Sequence, residues 1–289
     1  MIGAWEYTVH SVAYDRVKYL PTVKRIPDEI WDEIRMILPP EKPDNTIGRP
    51  AVSFRKVLDG ILYVLRTGCQ WKMLPKEYGS GSTFHRRFQQ WSTSKVFQRL
   101  WTRLLRVYDD LVGILWRWQS LDSVSIKAPL GGKWLIGPNP TDRGKLGIKR
   151  HVLTDGQGIP LSVVITAANT HDMKAAINTL DNIVVKRPSY NMCKTKQNLC
   201  LDKGYDFQEI ENEVIKKGYL PHIRHRGEQS ITKSGNHHIK RRRWVIERTN
   251  SWHNRFRKLL IRYEKKLENY FALVCLGCCI IIYRRIILG

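Results

Sequence analysis

The sequence predicts an α/β protein in which an all-α N-terminal domain is followed by a domain built around a sheet. Apolar residues recur at helical spacing as far as residue 105, and from residue 120 the chain changes to short segments rich in β-branched residues. The 289 residues, 42% of them hydrophobic, suffice for one large or two modest domains with buried cores. We expect the N-terminal domain to span residues 21–112 and the second domain residues 117–289.

Four helices are predicted in the N-terminal domain. The first begins at Ile26-Pro27-Asp28-Glu29 and is ended by Pro39-Pro40. A second carries apolar residues at i, i+3, i+4 and i+7 over residues 54–65 and closes near Gly68. A short helix over residues 83–91 and a longer one over residues 97–105 complete the domain.

The short helix over residues 83–91 is a candidate DNA-binding element. A helix, a glycine-containing turn and a short helix with a basic and amide face are typical of a helix-turn-helix. His85, Arg86 and Gln89 lie on that polar face and are the predicted DNA contacts. A solvated face without a ligand fits the same pattern equally well.

In the second domain, strands are predicted over residues 120–128, 147–153 and 160–166. The last two are joined by the hairpin-type turn at residues 155–158, so three antiparallel strands are the simplest arrangement. The remaining predicted elements are a helix over 175–185, a strand over 198–201, a helix over 208–217, a strand over 220–224 and a basic helix over 240–260.

The charge predicts a polyanionic partner. Lys and Arg number 49 against 26 acids, which gives a net charge of +23 and favours nucleic acid as the partner. A membrane surface is the competing polyanion, but the apolar run at residues 271–283 is shorter than the roughly 20 residues needed to span a bilayer. With no export signal in MIGAWEYTVH, we expect a cytoplasmic protein without a membrane partner.

The six cysteines are expected to be reduced, since the chain shows no sign of secretion. Cys275, Cys278 and Cys279 are close enough in sequence to suggest a metal knuckle. They lie in an apolar run without a second Cys or His pair at zinc spacing, so core packing is the favoured interpretation.

Three acids are candidates for a metal site. Phosphodiester transfer with two metals needs carboxylates that converge from separate elements. Asp122 lies on the first predicted strand, Asp202 ends the apolar segment Leu199-Cys200-Leu201, and Glu247 lies on the basic helix. A carboxylate at a strand end is held by a fixed backbone, which suits a metal ligand. Ordinary strand-edge acids are the alternative for both aspartates.

Glu247 is distinguished by the charge around it. Residues 224–266 contain 14 Lys or Arg and only three acids, a net charge of +11. An ion pair between Arg243 and Glu247, four residues apart on a solvated helix, is one explanation. The other is a carboxylate ligand set into a surface that binds DNA phosphates.

Together these residues resemble the DDE transposases of prokaryotic insertion sequences, in the insertion sequence five family. The resemblance covers nearly the whole chain, and its motifs are specific in combination. The matching segments are Gly48-Arg49-Pro50, Gln70-Trp71, Leu74-Pro75, residues 82–91, Leu121-Asp122-Ser123, Lys127-Ala128-Pro129, residues 137–145, Asn169-Thr170-His171-Asp172, Asp202-Lys203-Gly204-Tyr205-Asp206 and Glu247-Arg248-Thr249.

The resemblance implies a ribonuclease H-like catalytic core with a mixed sheet, in which Asp122, Asp202 and Glu247 occupy the three acidic positions in order. It implies two divalent cations, Mg²⁺ with Mn²⁺ able to substitute, and cut-and-join transposition by phosphodiester hydrolysis and strand transfer. The implied partners are double-stranded DNA, as transposon ends and target, and a second copy of the chain holding two ends. A nucleoid-associated protein is expected.

Accessory residues follow from the same resemblance. Arg243, Arg248 and Arg255 are candidate phosphate contacts. Lys240 and Asn254 stand at the positions of the Tyr and Lys that accompany the Glu in related transposases. The expected neighbours of the metal ligands are His171, Asp172 and Tyr205, although His171 fits a hydrogen-bonded loop histidine equally well.

Two other functions compete with transposition. A repressor descended from a transposase would keep the basic surface and discard the acids, yet all three acids are present. A metal-dependent nuclease that cuts without joining would use the same carboxylates.

Overall fold

The computed structural model describes residues 25–41, 43, 50–132, 134–189, 196–223 and 244–288. The chain forms two compact units, the first from residues 1–112 and 253–289 and the second from residues 113–252. Residues 253–289 thus fold with the N-terminal helices, whereas the domain limits drawn from the sequence, 21–112 and 117–289, group them with the sheet. Those domain limits stay a prediction.

The first unit is helical, and the four predicted helices are present in it. Ser53 caps the second helix by accepting a hydrogen bond from the Lys56 backbone N–H, and Gly68, with φ of 73°, ends it. The helices of the first unit in chain order are α1 (Asp28–Arg35), α2 (Phe54–Thr67), α3 (Gly81–Thr93), α4 (Val96–Leu111) and a C-terminal helix (Leu267–Leu288).

The C-terminal helix corrects the argument from length made for the apolar run at residues 271–283. The helix has 22 residues and a mean hydropathy of 2.2 in its most apolar window, enough by length and composition to cross a membrane. However, 72% of that window is buried inside the protein, where the helix packs against α4. Cys275, Cys278 and Cys279 are fully buried on it, which confirms their predicted packing in the core.

A short turn of 3-10 helix at Trp71–Met73 anchors the start of α3. The Trp71 ring stacks on Phe88 with ring centroids 5.0 Å apart, and its indole N–H donates to Glu264 Oε1 at 3.2 Å. Gly81 lies so close that a Cβ atom there would stand 1.9 Å from the Trp71 carbonyl oxygen. Only glycine therefore fits at the first residue of α3.

The second unit is built on one mixed sheet of six strands, in which the three predicted antiparallel strands are confirmed. β3 pairs antiparallel with β1 along one edge and with β2 and β4 along the other, whereas β1, β5 and β6 run parallel. The strands are β1 (Trp118–Lys127), β2 (Gly137–Pro138), β3 (Leu146–Asp155), β4 (Pro160–Ala167), β5 (Gln197–Leu201) and β6 (Tyr219–Ile223). The two-residue strand β2 is not predicted by the sequence pattern.

Helices in the second unit differ from their predicted limits mainly at their ends. They are α5 (Asp172–Asp181), α6 (Gln208–Lys216) and α7 (Trp244–Asn254), and we number the C-terminal helix α8. Because His171 caps α5, that helix begins three residues before the predicted start. The predicted basic helix over residues 240–260 ends early, at Asn254, and residues 240–243 lie outside the described part of the chain.

The close approach at Gly81 gives a test of the first unit. Replacing Gly81 with Ala should lower the free energy of unfolding by about 2 kcal/mol or more, because the new methyl group would overlap a backbone carbonyl that cannot move away easily. Urea denaturation measures the change, and the neighbouring exposed Ser82→Ala variant is the control. Equal stability of the two variants would contradict this packing.

Candidate active site

Two of the three predicted acids are brought together by the parallel pairing of β1 with β5. Ser120 pairs with Cys200, so two further steps along the same register place Asp122 beside Asp202. Adjacent strands lie about 4.8 Å apart, and residues at the same level of a ladder project from the same face. Both side chains are half-buried. The convergence of the three acids on a metal site stays a prediction.

Each of these carboxylates is oriented by the residue that follows it. Asp122 Oδ1 accepts a hydrogen bond from the Ser123 backbone N–H at 2.8 Å, and Asp202 Oδ1 accepts one from the Lys203 N–H at 2.6 Å. The bond at Asp202 caps the short 3-10 turn Lys203–Tyr205. The two side chains are thus fixed relative to their own backbones before any ligand binds.

A third aspartate, Asp172 at the start of α5, ties these segments together. Its Oδ1 accepts a hydrogen bond from Ser123 Oγ at 2.9 Å and forms an ion pair with Lys149 Nζ at 3.0 Å. Its other oxygen lies 3.4 Å from the position that a Cβ atom on Gly204 would take. Asp172 therefore connects Ser123, the residue after Asp122, with Lys149 of β3, and it lies close to Gly204 of the turn after Asp202.

The Tyr205 hydroxyl lies among the three aspartates. The side chain is 1% exposed, and no described residue provides a hydrogen-bond partner for its Oη atom. Burial raises the pKa of Tyr205 well above its usual value, and the nearby charges of Asp172, Asp122 and Asp202 raise it further. The hydroxyl therefore stays protonated and is available as a donor to this carboxylate cluster.

Arg150 is a buried cation on the same face of the sheet. Arg150 of β3 lies opposite Val124 of β1, and Asp122 lies two residues before Val124 on the same strand. Residues two apart on a strand share a face, so the Arg150 and Asp122 side chains project from the same face of the sheet. The side chain is 0% exposed, and none of its three guanidinium nitrogens has a hydrogen-bond partner among the described residues. A charged side chain that is buried without a hydrogen-bond partner lowers the stability of the fold.

Glu247 lies in the first turn of α7 and is exposed. The next two residues bind the turn between β3 and β4: Arg248 Nη2 donates to the Gln157 carbonyl at 2.6 Å, and Thr249 Oγ1 donates to the Gly158 carbonyl at 2.7 Å. Within the described ranges, no group of three or more His, Cys, Asp or Glu side chains is close enough together to hold a metal ion. The structure therefore gathers Asp122 and Asp202 but does not bring Glu247 to them.

The turn that holds α7 is itself fixed by a buried carboxylate. Asp155 is 0% exposed and accepts hydrogen bonds from the backbone N–H groups of Leu115, Gln157 and Ile159. Burial raises the pKa of Asp155, while these hydrogen bonds oppose the increase. Asp155 thus holds both the segment before β1 and the turn to which α7 is hydrogen-bonded.

The predicted DNA contacts differ in how available they are. His85 stacks on Trp71 at 4.9 Å and lies 3.9 Å from Glu264 Oε2, and burial lowers its pKa. Arg86 and Arg255 are exposed and Gln89 is half-buried. Arg243 lies outside the described residues. Of this set, Arg86 and Arg255 are the most accessible to a phosphate.

His171 is a hydrogen-bonded histidine at the start of α5, one of the two roles that fit its sequence position. Its Nδ1 atom accepts a hydrogen bond from the Met173 backbone N–H at 3.4 Å, which caps α5, and its ring meets Phe207 edge to face. The side chain is exposed. His171 thereby positions Asp172, the residue that follows it.

Three neighbours of the aspartates, Ser123, Lys149 and Arg150, were not identified from the sequence as site residues. Ser123 directly follows Asp122, so its closeness to that carboxylate could have been inferred from the sequence. Lys149 and Arg150 stand in the basic segment Lys145 to Arg150, where nothing local separates a buried cation from an exposed one. Only the β1–β3 register reveals their position.

The strand order and the acid pair define a ribonuclease H-like core with a candidate site for phosphodiester chemistry. Comparison with known families agrees with this class. The family model "Transposase DDE domain" matches residues 119–282, more than half of the chain. A second model, "Putative transposase of IS4/5 family", matches residues 26–101. The chain therefore belongs to the DDE transposases of insertion sequences, and it is an enzyme of DNA transposition.

Two proteins of one insertion element are consistent with this assignment. The protein named "Putative transposase for insertion sequence element IS402", from Burkholderia cepacia, is 32% identical over 54% of this chain and 72% of its own length. A 16.2 kDa protein of the same insertion element is 40% identical over 40% of this chain and 80% of its own length. The crystal structure of a pre-cleavage Mos1 transpososome aligns with 98% of this chain and 97% of that chain, at 11% identity and a TM-score of 0.28.

The buried guanidinium of Arg150 gives a test by stability. Replacing Arg150 with Met should raise the Tm of the metal-free protein by about 3 °C or more, because a buried charge with no acceptor in the described part of the chain is exchanged for an apolar side chain of similar length. Differential scanning calorimetry measures the shift, and the exposed Arg117→Met variant should leave the Tm unchanged. A fall in Tm on replacing Arg150 would mean that the guanidinium stabilises the fold.

Proposed function

We propose that Asp122, Asp202 and Glu247 form the catalytic triad of this transposase and that it moves DNA by cutting and joining. The observation that supports this proposal is the parallel β1–β5 pairing, which ends at Ser120 and Cys200, each two residues before one of the aspartates, although Asp122 and Asp202 are 80 residues apart in sequence. Glu247 is the acid of the basic helix, and it follows them in the order that the family requires. Its exposed position on an anchored helix leaves the carboxylate accessible.

The family implies divalent metal ions, and the residues present suit them. Two oriented carboxylates on adjacent strands supply the hard oxygen ligands that Mg²⁺ and Mn²⁺ accept. We propose two such ions, with Mg²⁺ the physiological one. When bound, they supply an activated water and neutralise charge on the leaving 3′ oxygen. Like-charged carboxylates repel one another, so cation binding is the interaction that favours gathering Glu247 with the aspartates.

The residues around the three acids hold the carboxylates in place and take no part in the reaction themselves. Asp172 accepts a hydrogen bond from Ser123, the residue after Asp122, and Lys149 neutralises part of its charge. The protonated Tyr205 hydroxyl lies near the aspartates and has no hydrogen-bond partner among the described residues, so it remains a candidate donor to a carboxylate that shifts on loading. This arrangement holds the aspartates ready, so little reorganisation is needed when the phosphodiester arrives.

We propose that the basic segment over residues 224–266 and, independently, the polar side chains of α3 are DNA contacts. Residues 224–266 carry a net charge of +11, and Arg86, Gln89 and Arg255 are accessible for phosphate or base contacts. Arg243 and His85 remain part of the predicted contact set. Since two transposon ends must be held together for joining, we propose that the active form is a dimer associated with the nucleoid in the cytoplasm.

The triad is tested by charge-removing variants. Asp122→Asn, Asp202→Asn and Glu247→Gln should each abolish strand cleavage, because each removes a charged metal ligand, while binding to end DNA changes by no more than a few fold. Cleavage of labelled transposon-end duplexes and gel-shift titration measure the two effects. Glu209→Gln, an exposed acid on α6, should cleave normally. Any triad variant that keeps cleaving is removed from the site.

The choice of divalent cation distinguishes DNA binding from DNA cleavage. Mg²⁺ and Mn²⁺ should support both DNA binding and cleavage, whereas Ca²⁺ should support binding alone, because its longer and more numerous bonds do not fix the reacting oxygens in a compact site. Cleavage assays in each cation after chelator treatment provide the measurement. Full activity in chelator, or in Ca²⁺ alone, would contradict the proposed chemistry.

A further inference from the structure

A cluster of buried polar side chains joins the three parallel strands near their starts. Gln119 of β1, Gln197 of β5 and Tyr219 of β6 are 0%, 2% and 4% exposed. Gln119 Nε2 donates a hydrogen bond to Gln197 Oε1 at 3.0 Å, and the Tyr219 hydroxyl donates one to Gln119 Oε1 at 3.1 Å. We call Gln119 and Gln197 the amide pair.

The amide pair is held in one orientation by its other partners. Gln119 Nε2 also donates to the Trp116 carbonyl at 3.1 Å, and Gln197 Nε2 donates to the Pro188 carbonyl at 2.9 Å. Arg187 Nε donates to Gln197 Oε1 at 2.6 Å. Turning either amide over would set donors against donors and acceptors against acceptors. The bond between the two amides is therefore directional.

The backbone and the apolar side chains of β5 fix its register only in part. A shift of two residues returns every side chain to its own face, because side chains alternate along a strand with a period of two. Leu199 and Leu201 are identical and are 0% and 4% exposed, so such a shift would exchange one buried leucine for the other. Among the described residues, the β1–β5 ladder consists of three residue pairs: Trp118 with Asn198, Gln119 with Leu199 and Ser120 with Cys200.

The amide pair distinguishes the observed register from the shifted one. Gln119 lies opposite Leu199, which follows Gln197 by two residues on the same face, so the two amides are diagonal neighbours. A shift that places Leu201 opposite Gln119 would carry Gln197 about 7 Å further along the strand, beyond the reach of the other amide. Both amides would then lack a partner in a buried environment, which is unfavourable.

We propose that the amide pair is a positioning device that selects the β1–β5 register and thereby brings Asp122 level with Asp202. This inference rests on the proposed function, because it takes the two aspartates as ligands of one metal site. Each aspartate follows the ladder by two residues, so a two-residue shift would move one past the other by about 7 Å. Fixing a register is the best-attested use of buried polar groups.

The amide pair acts through the strands and not by contact with the metal ligands. Gln119 and Asp122 are three residues apart on β1, so their side chains project from opposite faces of the sheet. Loss of the amide pair therefore leaves the carboxylates chemically intact. Its effect on metal binding comes from the alignment of the two strands alone.

Cys200 provides a direct reporter of the register. It lies opposite Ser120, and strands about 4.8 Å apart allow a disulfide between facing residues, so Ser120→Cys should crosslink to Cys200. Trp118→Cys should crosslink to Cys200 only after a shift of two residues, because Trp118 lies opposite Asn198. Refolding from urea in a glutathione redox buffer allows the disulfides to form, and peptide mass spectrometry identifies each one.

The amide pair is removed by Gln119→Met in a Tyr219→Phe protein, which leaves no tyrosine hydroxyl without its acceptor. In this double variant the crosslink to Cys200 should move from Ser120→Cys to Trp118→Cys. The affinity for Mn²⁺ without DNA, measured by electron paramagnetic resonance of the free ion, should fall about 10-fold, as expected when the support of metal ligands is lost. Tyr219→Phe alone keeps the amide pair and is the matched control, with the crosslinks and the affinity of the wild type.

A rescue distinguishes register from general damage to the fold. In the double variant, the disulfide between Ser120→Cys and Cys200 should restore the Mn²⁺ affinity of those molecules that form it, because it fixes the observed register. If the double variant does not refold, Gln119→Asn takes its place. That variant keeps a buried amide that is one methylene too short to reach Gln197, and it should give the same movement of the crosslink.

An unchanged crosslink pattern in the double variant, or in Gln119→Asn, would overturn the amide pair as the device that selects the register. A moved crosslink with wild-type Mn²⁺ affinity would overturn its role in positioning the aspartates. Wild-type Mn²⁺ affinity in Asp202→Asn, with the crosslinks of the observed register, would instead overturn the proposed triad. The two failures are therefore distinguishable.

Discussion

The parallel pairing of β1 with β5 is the constraint on which the rest of the active site depends. It brings together two segments 80 residues apart and sets their register, so that Asp122 and Asp202 stand side by side. A shift of one residue would turn one carboxylate to the opposite face of the sheet and separate the pair. Antiparallel β3 on the other edge of β1 fixes that strand along nine residue pairs, which makes such a shift costly.

Charged side chains lie around Asp122 and Asp202. They lower the stability of the fold, and they help to hold the two aspartates in place. Asp172 joins Ser123, the residue after Asp122, to Lys149, and the buried Tyr205 hydroxyl lies near all three aspartates. Arg150 is buried on the face of Asp122, and its guanidinium has no hydrogen-bond acceptor among the described residues. Proteins accept such local costs at sites of chemistry when the surrounding core supports them. The sheet of the second unit, buried over β3 and β4, supplies that support.

Much of the fold was predictable from sequence because its signals are local. The apolar spacing on α2 and α4, the glycine that ends α2 and the hairpin turn before β4 each identify an element by themselves. The limits of α8 were missed because Glu268 and Arg284 lie at its ends, so the apolar run seemed shorter than the helix. The burial of Arg150 was equally hidden, since a basic residue on a strand gives no local sign of which face it occupies. Pairing between distant strands is a property of the whole chain.

The central claim is that Asp122, Asp202 and Glu247 bind divalent cations together. The most direct measurement is anomalous X-ray scattering from crystals of the protein grown with transposon-end DNA and Mn²⁺. The account predicts anomalous peaks bonded to the carboxylates of Asp122 and Asp202, with Glu247 of α7 as a further ligand. Manganese bound elsewhere, or a Glu247 side chain that remains turned to solvent while the aspartates are loaded, would contradict it.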